Sequence, residues 1–292
     1  MPAHDGTRPH ASTETLAVLL AHPAGHSLSP RMHDAAFSAL GMRGRYEAWD
    51  VPPQDLPEAL ERVRVQAGLL GANVSVPHKL AVVEFLDALA DDARTIGAVN
   101  TVVRREGGLF GHNTDVSGLA AALGELARPP EPGRAVVLGA GGAARAAVAV
   151  LLRFGCSVLV HNRGVRRAEA LVEAASGAGD VRVVSAGELD SAVAEADWLV
   201  NTTPIGMQGG PAGSPLPAGV LPERGTVVDL IYRPRLTPLL AAAQAAGLPT
   251  QDGLPMLLHQ GAASFALWTG RDAPVAVMRE ALESALDEGR AR

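Results

Sequence analysis

Cysteine is almost missing from this sequence of 292 residues, which contains Cys156 alone. A single thiol cannot form an intramolecular disulfide, and it excludes a metal site built from several cysteines. Cys156 lies in an apolar stretch, where a free cysteine behaves as a small buried hydrophobic side chain. The sequence therefore predicts a protein of a reducing compartment.

Long apolar runs and blocks of basic residues are also missing. No run approaches the roughly 18 apolar residues of a membrane helix, and the polar residues 1–13 lack the apolar stretch of a signal peptide. The formal net charge is −6, and without clustered Lys and Arg neither nucleic acid nor an anionic membrane is an expected partner. We expect a soluble, cytoplasmic protein that binds small molecules. A monomer and a homodimer are both compatible with the sequence.

Lysine is nearly absent too, because Lys79 is the only lysine among the 25 basic residues and all the others are arginine. A GC-rich coding bias explains an excess of arginine. Under such a bias a lysine persists most readily where arginine cannot replace it, and proton transfer is one such role because a guanidinium effectively never deprotonates. Lys79 is thus a candidate proton donor, although chance explains the composition equally well.

The length exceeds the usual size of one core and predicts two domains. In the first half, strands are predicted at 16–21, 46–51 and 72–76. They alternate with three helices: the first has Ser29 as its N-cap and runs to about residue 40, and the other two are predicted at 54–66 and 78–89. This alternation indicates a parallel sheet. A short hairpin edge follows at 99–111.

The second half repeats the alternation after a helix at 115–127 and a linker at 128–133 that contains three prolines. Strands are predicted at 135–138, 157–161, 198–201 and 226–231, with helices at 142–154, at 166–175 and from Thr237. Two last helices, at 254–268 and 274–287, have no strand between them and must pack on a core that already exists. We therefore predict an α/β protein with an N-terminal domain over 14–115, completed by helices in 254–292, and a Rossmann dinucleotide-binding domain over 116–253.

A glycine-rich turn over residues 139–143 follows an apolar strand and opens a helix. In that context the backbone can approach a pyrophosphate at the helix N-terminus. The alternative is a tight connection between strand and helix without a ligand.

The end of the next strand indicates which dinucleotide is bound. It carries Asn162 and Arg163, followed by Arg166 and Arg167, and no carboxylate. A carboxylate at this place would bind the ribose of NAD, whereas guanidinium groups suit the extra phosphate of NADP. NADP is the predicted cofactor, and solvated surface arginines are the alternative.

Four polar segments of the first half, at 26–30, 73–79, 98–101 and 111–115, lie where a core element needs no polar residues. Three of them follow or end strands, and strand ends line the ligand crevice of an open α/β sheet. The first precedes a helix N-terminus, which favours an anion such as a carboxylate. Each segment alone is explained by capping or turn chemistry, but together they predict a substrate site.

In their order these motifs resemble the shikimate dehydrogenase family, from about residue 16 to the last helix. The resemblance implies reversible, NADPH-dependent reduction of 3-dehydroshikimate to shikimate, a step of aromatic amino acid biosynthesis by way of chorismate. It rests on Ser-x-Ser-Pro at 27–30, Asn-Val-Ser-Val-Pro-His-Lys at 73–79, Ala-Val-Asn-Thr at 98–101, Asn-Thr-Asp at 113–115, the glycine-rich turn, Asn162-Arg163 with Arg167, and Asp252-Gly253-Leu254 leading to Gln260.

The resemblance also implies the roles of individual residues. Lys79 and Asp115 are the expected catalytic pair, and no metal is expected. The expected substrate ligands are Ser27, Ser29 and Tyr232 for the carboxylate, and Ser75, Asn100 and Gln260 for the ring hydroxyls. The expected cofactor contacts are Gly139, Ala140, Gly141, Gly142, Ala143, Asn162, Arg163, Arg167, Thr202, Gly253 and Met256.

Four positions depart from the family's common residues: Ser75 for Thr, Ala24 for Ile, Asp34 for Asn and Pro255 for Gly. Ser75 keeps the hydroxyl, whereas Ala24 and Pro255 change the margin of the site. A quinate/shikimate dehydrogenase using NAD is therefore one alternative. The other is a non-catalytic NADPH-binding paralogue, which would be expected to have lost a member of the Lys79–Asp115 pair.

Overall fold

Two six-stranded sheets, one in each half of the chain, organise the computed structural model over the residues that it describes, 14–126 and 131–290. Residues 128–130 of the predicted linker lie outside those ranges, and so do the predicted polar N-terminal segment and the last residue of the helix predicted at 115–127. The predicted two-domain α/β architecture, with a Rossmann second domain and C-terminal helices that return to the first domain, is confirmed.

The first domain contains a mixed sheet. Its first three strands in chain order are parallel, and the fifth and sixth form an antiparallel hairpin beside the third. The spatial order is β2-β1-β3-β5-β6-β4. The strands are β1 (Thr15–Ala21), β2 (Gly44–Asp50), β3 (Leu69–Val74), β4 (Ala88–Leu89), β5 (Thr101–Arg105) and β6 (Gly108–His112), and the helices are α1 (Ser29–Ala39), α2 (Leu56–Val65) and α3 (Asp91–Ile96). Helix α4 (Thr114–Gly124) follows β6 and leads into the second half of the chain.

The second domain contains a wholly parallel sheet in the order β12-β11-β10-β7-β8-β9. The strand order reverses between β7 and β10, which is where a doubly wound sheet opens a crevice for a dinucleotide. Its strands are β7 (Arg134–Leu138), β8 (Ser157–His161), β9 (Val181–Val183), β10 (Trp198–Asn201), β11 (Thr226–Asp229) and β12 (Thr250–Gln251), and its helices are α5 (Gly142–Arg153), α6 (Val165–Ala175), α7 (Leu189–Ala194) and α8 (Pro238–Ala245).

The last two helices, α9 (Leu254–Thr269) and α10 (Val275–Arg290), pack on the first domain. The apolar face of α1, including Met32 and Phe37, is buried against Phe265 of α9 and Leu282 of α10. Burial of this face completes the first domain's core. Across the described ranges, no helix combines the length and apolarity needed to cross a membrane.

The predicted helix over 78–89 is wrong, because this segment forms turns, a 3-10 helix at Ala81–Phe85 and the short strand β4. The backbone carbonyl of Lys79 accepts a hydrogen bond from Val99 N at 2.8 Å. Val83 N, which an α-helix would pair with this carbonyl, donates instead to Leu80 O at 3.4 Å, in the i to i+3 pattern of a 3-10 helix. Four short elements were missed, namely α3, α7, β9 and β12, since each is too short to show a hydrophobic period.

One hydrophobic cluster is shared by both domains. Ile96 and Ala98 of the first domain lie in the same cluster as Ala144 and Ala147 of α5, together with Leu119 of α4. The two domains are therefore packed on each other beside the start of α5.

Candidate active site

Lys79 and Asp115 lie 36 positions apart in the sequence and form an ion pair in the structure. Lys79 Nζ donates to Asp115 Oδ2 at 2.6 Å, and the two side chains are only 15% and 3% exposed. Lys79 comes soon after β3, and Asp115 lies in the first turn of α4, where the helix dipole favours a carboxylate. The pair presents an ammonium with a fixed position and little access to bulk water.

Asn100 holds the other oxygen of this carboxylate. Its Nδ2 donates to Asp115 Oδ1 at 2.9 Å and lies 3.3 Å from Gln260 Oε1. Its Oδ1 accepts from Thr114 N at 2.7 Å, which fixes the orientation of the amide. The structure therefore brings four predicted site residues together: Lys79, Asp115, Asn100 and Gln260.

A buried group of hydroxyls behind Asn100 was not predicted as part of the site. The Oγ of Ser264 lies 2.8 Å from Thr101 Oγ1 and 3.1 Å from Thr114 Oγ1, and Asn73 Nδ2 donates to it at 2.9 Å. Thr101 and Thr114 stand inside two of the polar motifs, so the sequence pointed to them. Ser264 lies on an apolar helix face, where nothing in the sequence indicated a role.

Ser27 and Ser29 lie at the start of α1. The predicted N-cap was Ser29, but the helix begins at Ser29 with Leu28 as N-cap, and Ser29 N donates to Ser27 Oγ at 3.2 Å. Tyr232, from the loop after β11 in the second domain, reaches this place. Burial raises the pKa of the Tyr232 phenol, and hydrogen bonds with Leu28 backbone and the Ser27 side chain oppose part of that rise. The hydroxyls of Ser27 and Tyr232, one from each domain, thus meet at a helix N-terminus, whereas the Ser29 side chain is hydrogen-bonded with the buried Tyr46.

Ser75 follows β3 and is half-buried. Its backbone N donates to Leu20 O at 2.9 Å, so it lies beside the end of β1. This places the Ser75 backbone at the same edge of the sheet as the segments that carry Ser27 and Lys79.

The glycine-rich turn lies at the crevice between β7 and β10. Gly139 has a φ of +113°, and a Cβ there would collide with Thr202 Oγ1. Thr202 Oγ1 in turn donates to Leu138 O at 2.7 Å. Of the predicted cofactor residues, Gly139 and Thr202 are therefore in contact, and Gly142 begins α5 directly after the turn.

The predicted phosphate-binding arginines lie on the surface after β8. Arg163 and Arg167 are exposed, and neither pairs with a carboxylate within the described part of the chain. Asn162 Nδ2 donates to Gly164 O at 2.9 Å and fixes the loop between them. Both guanidiniums are thus available to an anionic ligand.

Gly253 and Met256 stand at the start of α9. Gly253 N donates to Ile231 O at 3.0 Å, and Met256 is buried in the cluster shared by the two domains. The N-terminus of α9 therefore lies beside the loop that follows β11.

Asp229 is a buried carboxylate that sequence reasoning missed. It accepts from Asn201 Nδ2, from Ile231 N and from Thr237 Oγ1, at 2.9, 3.1 and 2.7 Å. Burial raises its pKa from 3.8 to about 6, although these hydrogen bonds oppose the rise. It anchors the start of the loop that carries Tyr232.

Comparison with known proteins identifies the family. The family models described as the shikimate dehydrogenase substrate binding domain, the shikimate / quinate 5-dehydrogenase and the shikimate 5'-dehydrogenase C-terminal domain match residues 19–102, 128–205 and 253–283. The shikimate dehydrogenase (NADP(+)) of Moorella thermoacetica is 47% identical over 277 residues, which cover 93% of each chain.

Solved structures agree in fold. Shikimate 5-dehydrogenase from Thermus thermophilus, in complex with NADP(H) and shikimate, is 45% identical with a TM-score of 0.83 and covers 93% of this chain and all of its own. The quinate dehydrogenase of Corynebacterium glutamicum, in complex with NAD, is 34% identical with a TM-score of 0.85 and covers 93% of this chain and 99% of its own. The resemblance stated from the motifs is confirmed, and this chain belongs to the shikimate dehydrogenase family.

Proposed function

We propose that this protein catalyses the reversible NADPH-dependent reduction of 3-dehydroshikimate to shikimate. The observation that carries the proposal is the buried Lys79–Asp115 ion pair at the boundary with the dinucleotide turn. A non-catalytic paralogue would be expected to have lost a member of this pair, because holding an ammonium and a carboxylate out of water is costly.

Bound NADPH would supply a hydride to the ring ketone. The Lys79 ammonium stabilises the negative charge that develops on the ketone oxygen and donates the proton to it. Asp115 and Asn100 hold the ammonium in place through the contacts at 2.6 and 2.9 Å. Ser27, Ser29 and Tyr232 bind the substrate carboxylate, which the N-terminus of α1 also favours.

The remaining roles follow the same assignment. Ser75, Asn100 and Gln260 bind the ring hydroxyls, Arg163 and Arg167 bind the adenosine phosphate, and the turn at 139–143 binds the pyrophosphate. Asn162, Thr202, Gly253 and Met256 complete the cofactor site. We place the domain boundary between Asp115 and Val116, with 254–292 belonging to the first domain, and propose a cytoplasmic enzyme that is a monomer or a homodimer.

Quinate with NAD is the competing pair of substrates, because a quinate dehydrogenase in complex with NAD has the same fold. Quinate carries one more ring hydroxyl, and Ala24 and Pro255, which stand where the family commonly has Ile and Gly, change the margin of the site that would have to accept it. The exposed arginines after β8 favour NADP instead.

The test is a steady-state assay of the purified full chain with shikimate and quinate, each with NADP+ and NAD+. We expect the largest kcat/KM for shikimate with NADP+. A larger value for quinate with NAD+ would establish the alternative enzyme. Absence of turnover with all four combinations, in a protein that binds NADPH by fluorescence titration, would contradict the proposed function.

A further inference from the structure

Gly142 lies against the side chain of Lys79. A Cβ at Gly142 would lie 2.9 Å from both Cβ and Cδ of Lys79 and 3.5 Å from its Cγ. Carbon atoms in favourable contact are about 3.5–4.0 Å apart. A methyl group at this position would therefore be too close to the lysine by about 0.6 Å or more.

The lysine has little freedom to move away. Its backbone carbonyl accepts from Val99 N at 2.8 Å, and its Nζ donates to Asp115 at 2.6 Å. The side chain is thus held at both ends, with Gly142 beside the atoms between them. A displaced stem must pull Nζ away from the carboxylate.

The helix that carries Gly142 is also held. Arg145, one turn further along α5, donates from Nη1 to Ile96 O at 3.1 Å. Behind this bond, Ile96 and Ala98 share a buried cluster with Ala144 of α5. Withdrawal of α5 by half an ångström would therefore disturb a packed core.

Gly141 provides the contrast. It is the N-cap of α5 with φ −89° and ψ −170°, values that alanine adopts, and a Cβ there would meet nothing within 4 Å. A side chain at Gly141 would project into this open space, which we assign to the pyrophosphate. The two neighbouring glycines of the turn therefore have different surroundings.

We propose that Gly142 is a positioning residue for Lys79: the absence of a side chain at Gly142 leaves room for the stem of the catalytic lysine, while the Gly142 backbone remains part of the pyrophosphate-binding turn. The inference rests on the proposed role of Lys79 in proton transfer. It implies that the dinucleotide turn sets the position of the proton donor by direct contact.

The first experiment compares Gly142→Ala with Gly141→Ala. A misplacement of about 1 Å at a reacting centre costs up to about 10²-fold in rate. We expect Gly142→Ala to lower kcat about 10- to 100-fold while the Kd for NADPH, from fluorescence titration, changes less than about threefold. We expect Gly141→Ala to raise that Kd and to keep most of kcat at saturating NADPH. The proposal would be overturned if Gly142→Ala left kcat at saturating NADPH normal, whether or not the Kd for NADPH rose as in Gly141→Ala.

The second experiment repeats Gly142→Ala in a Lys79→Gly background, which removes both clashing carbons. Thermal unfolding is the readout, since it needs no turnover. We expect the substitution to lower Tm in the native background and to leave it unchanged, or raise it, when the lysine stem is absent, because alanine favours helix over glycine. An equal loss of Tm in both backgrounds would overturn the proposal even if the native variant folds poorly. This comparison of Tm values does not depend on catalysis, so it tests the contact between Gly142 and Lys79 alone. Failure of the proposed reaction would be seen separately, as a wild-type enzyme without activity.

Discussion

Replacement of Lys79 by methionine should abolish turnover and also destabilise the protein. Methionine is similar in length but carries no charge, so Asp115 would keep a carboxylate that is 3% exposed with Asn100 Nδ2 as its remaining side-chain donor. Removal of one partner from a buried pair costs about 3–5 kcal/mol. Because the lysine side chain is itself 15% exposed, we expect a loss of about 3 kcal/mol in the free energy of unfolding at neutral pH.

The double variant Lys79→Met/Asp115→Asn separates stability from catalysis. It removes the unpaired carboxylate, so urea unfolding should show most of the lost stability restored while turnover stays absent. Lys79→Arg adds the complementary control, because it keeps the charge but cannot release a proton. General acid catalysis supplies roughly 10² to 10⁴ in rate, and we expect both single variants to lose at least that factor in kcat.

NADPH titration and circular dichroism would establish that each variant is folded and binds its cofactor. A folded variant that retains more than about a tenth of wild-type turnover would show that Lys79 only positions the substrate. The proton would then come from Asp115 or from a bound water. Restored stability with lost turnover in the double variant is the combination that the structure requires.

Three further predictions concern the carboxylate site, the cofactor and pH. Replacing Ser27 and Ser29 together by alanine should raise the KM for shikimate about tenfold or more, since a hydrogen bond to a charged group contributes about 1.5–3 kcal/mol, and unchanged affinity in calorimetry would contradict this. Removing the guanidiniums of Arg163 and Arg167 should weaken NADPH and spare NADH, whereas equal loss of kcat/KM for both would indicate a role in folding. The pKa of Asp229 is raised from 3.8 to about 6 in the folded protein. Its contribution to the free energy of unfolding, at most about 3 kcal/mol, is therefore complete below about pH 4 and is lost as the pH rises through about 6. Asp229→Asn should make the free energy of unfolding in urea depend less on pH between about pH 4 and 7, and an unchanged pH dependence would contradict this.

The proximity of Lys79 and Asp115 was predictable because both residues lie in recognisable motifs. Lys79 is the last residue of the motif that follows β3, and Asp115 lies in the first turn of α4, after β6. β3 and β6 are both antiparallel to β5, which lies between them, so the segments that follow them lie at one edge of the sheet whatever their separation in the sequence. Local patterns and the family resemblance were sufficient here.

Other parts of the site depend on tertiary contacts that no local pattern encodes. The prediction of a helix at 78–89 was wrong, and the backbone carbonyl of Lys79 accepts a hydrogen bond from Val99 N, 20 positions further along the chain. In the sequence, nothing distinguishes Ser264 from other residues of an apolar helix; its hydrogen bond with Thr101 exists only because α9 packs beside β5. Gly142 was predicted as a phosphate-binding residue from its motif, whereas its contact with Lys79 required the second domain to be placed against the first.

The return of the C-terminal helices to the first domain has a consequence for synthesis. Met32 and Phe37 of α1 are fully buried against α9 and α10, yet Leu282 lies 245 positions after Phe37 in the chain. At about 5–20 residues per second, a ribosome needs roughly 12 to 50 s to make that interval. Throughout this time the apolar face of α1 has no partner to pack against in the nascent chain. Chaperones that bind exposed apolar surfaces can therefore act on α1 until α9 and α10 have been synthesised.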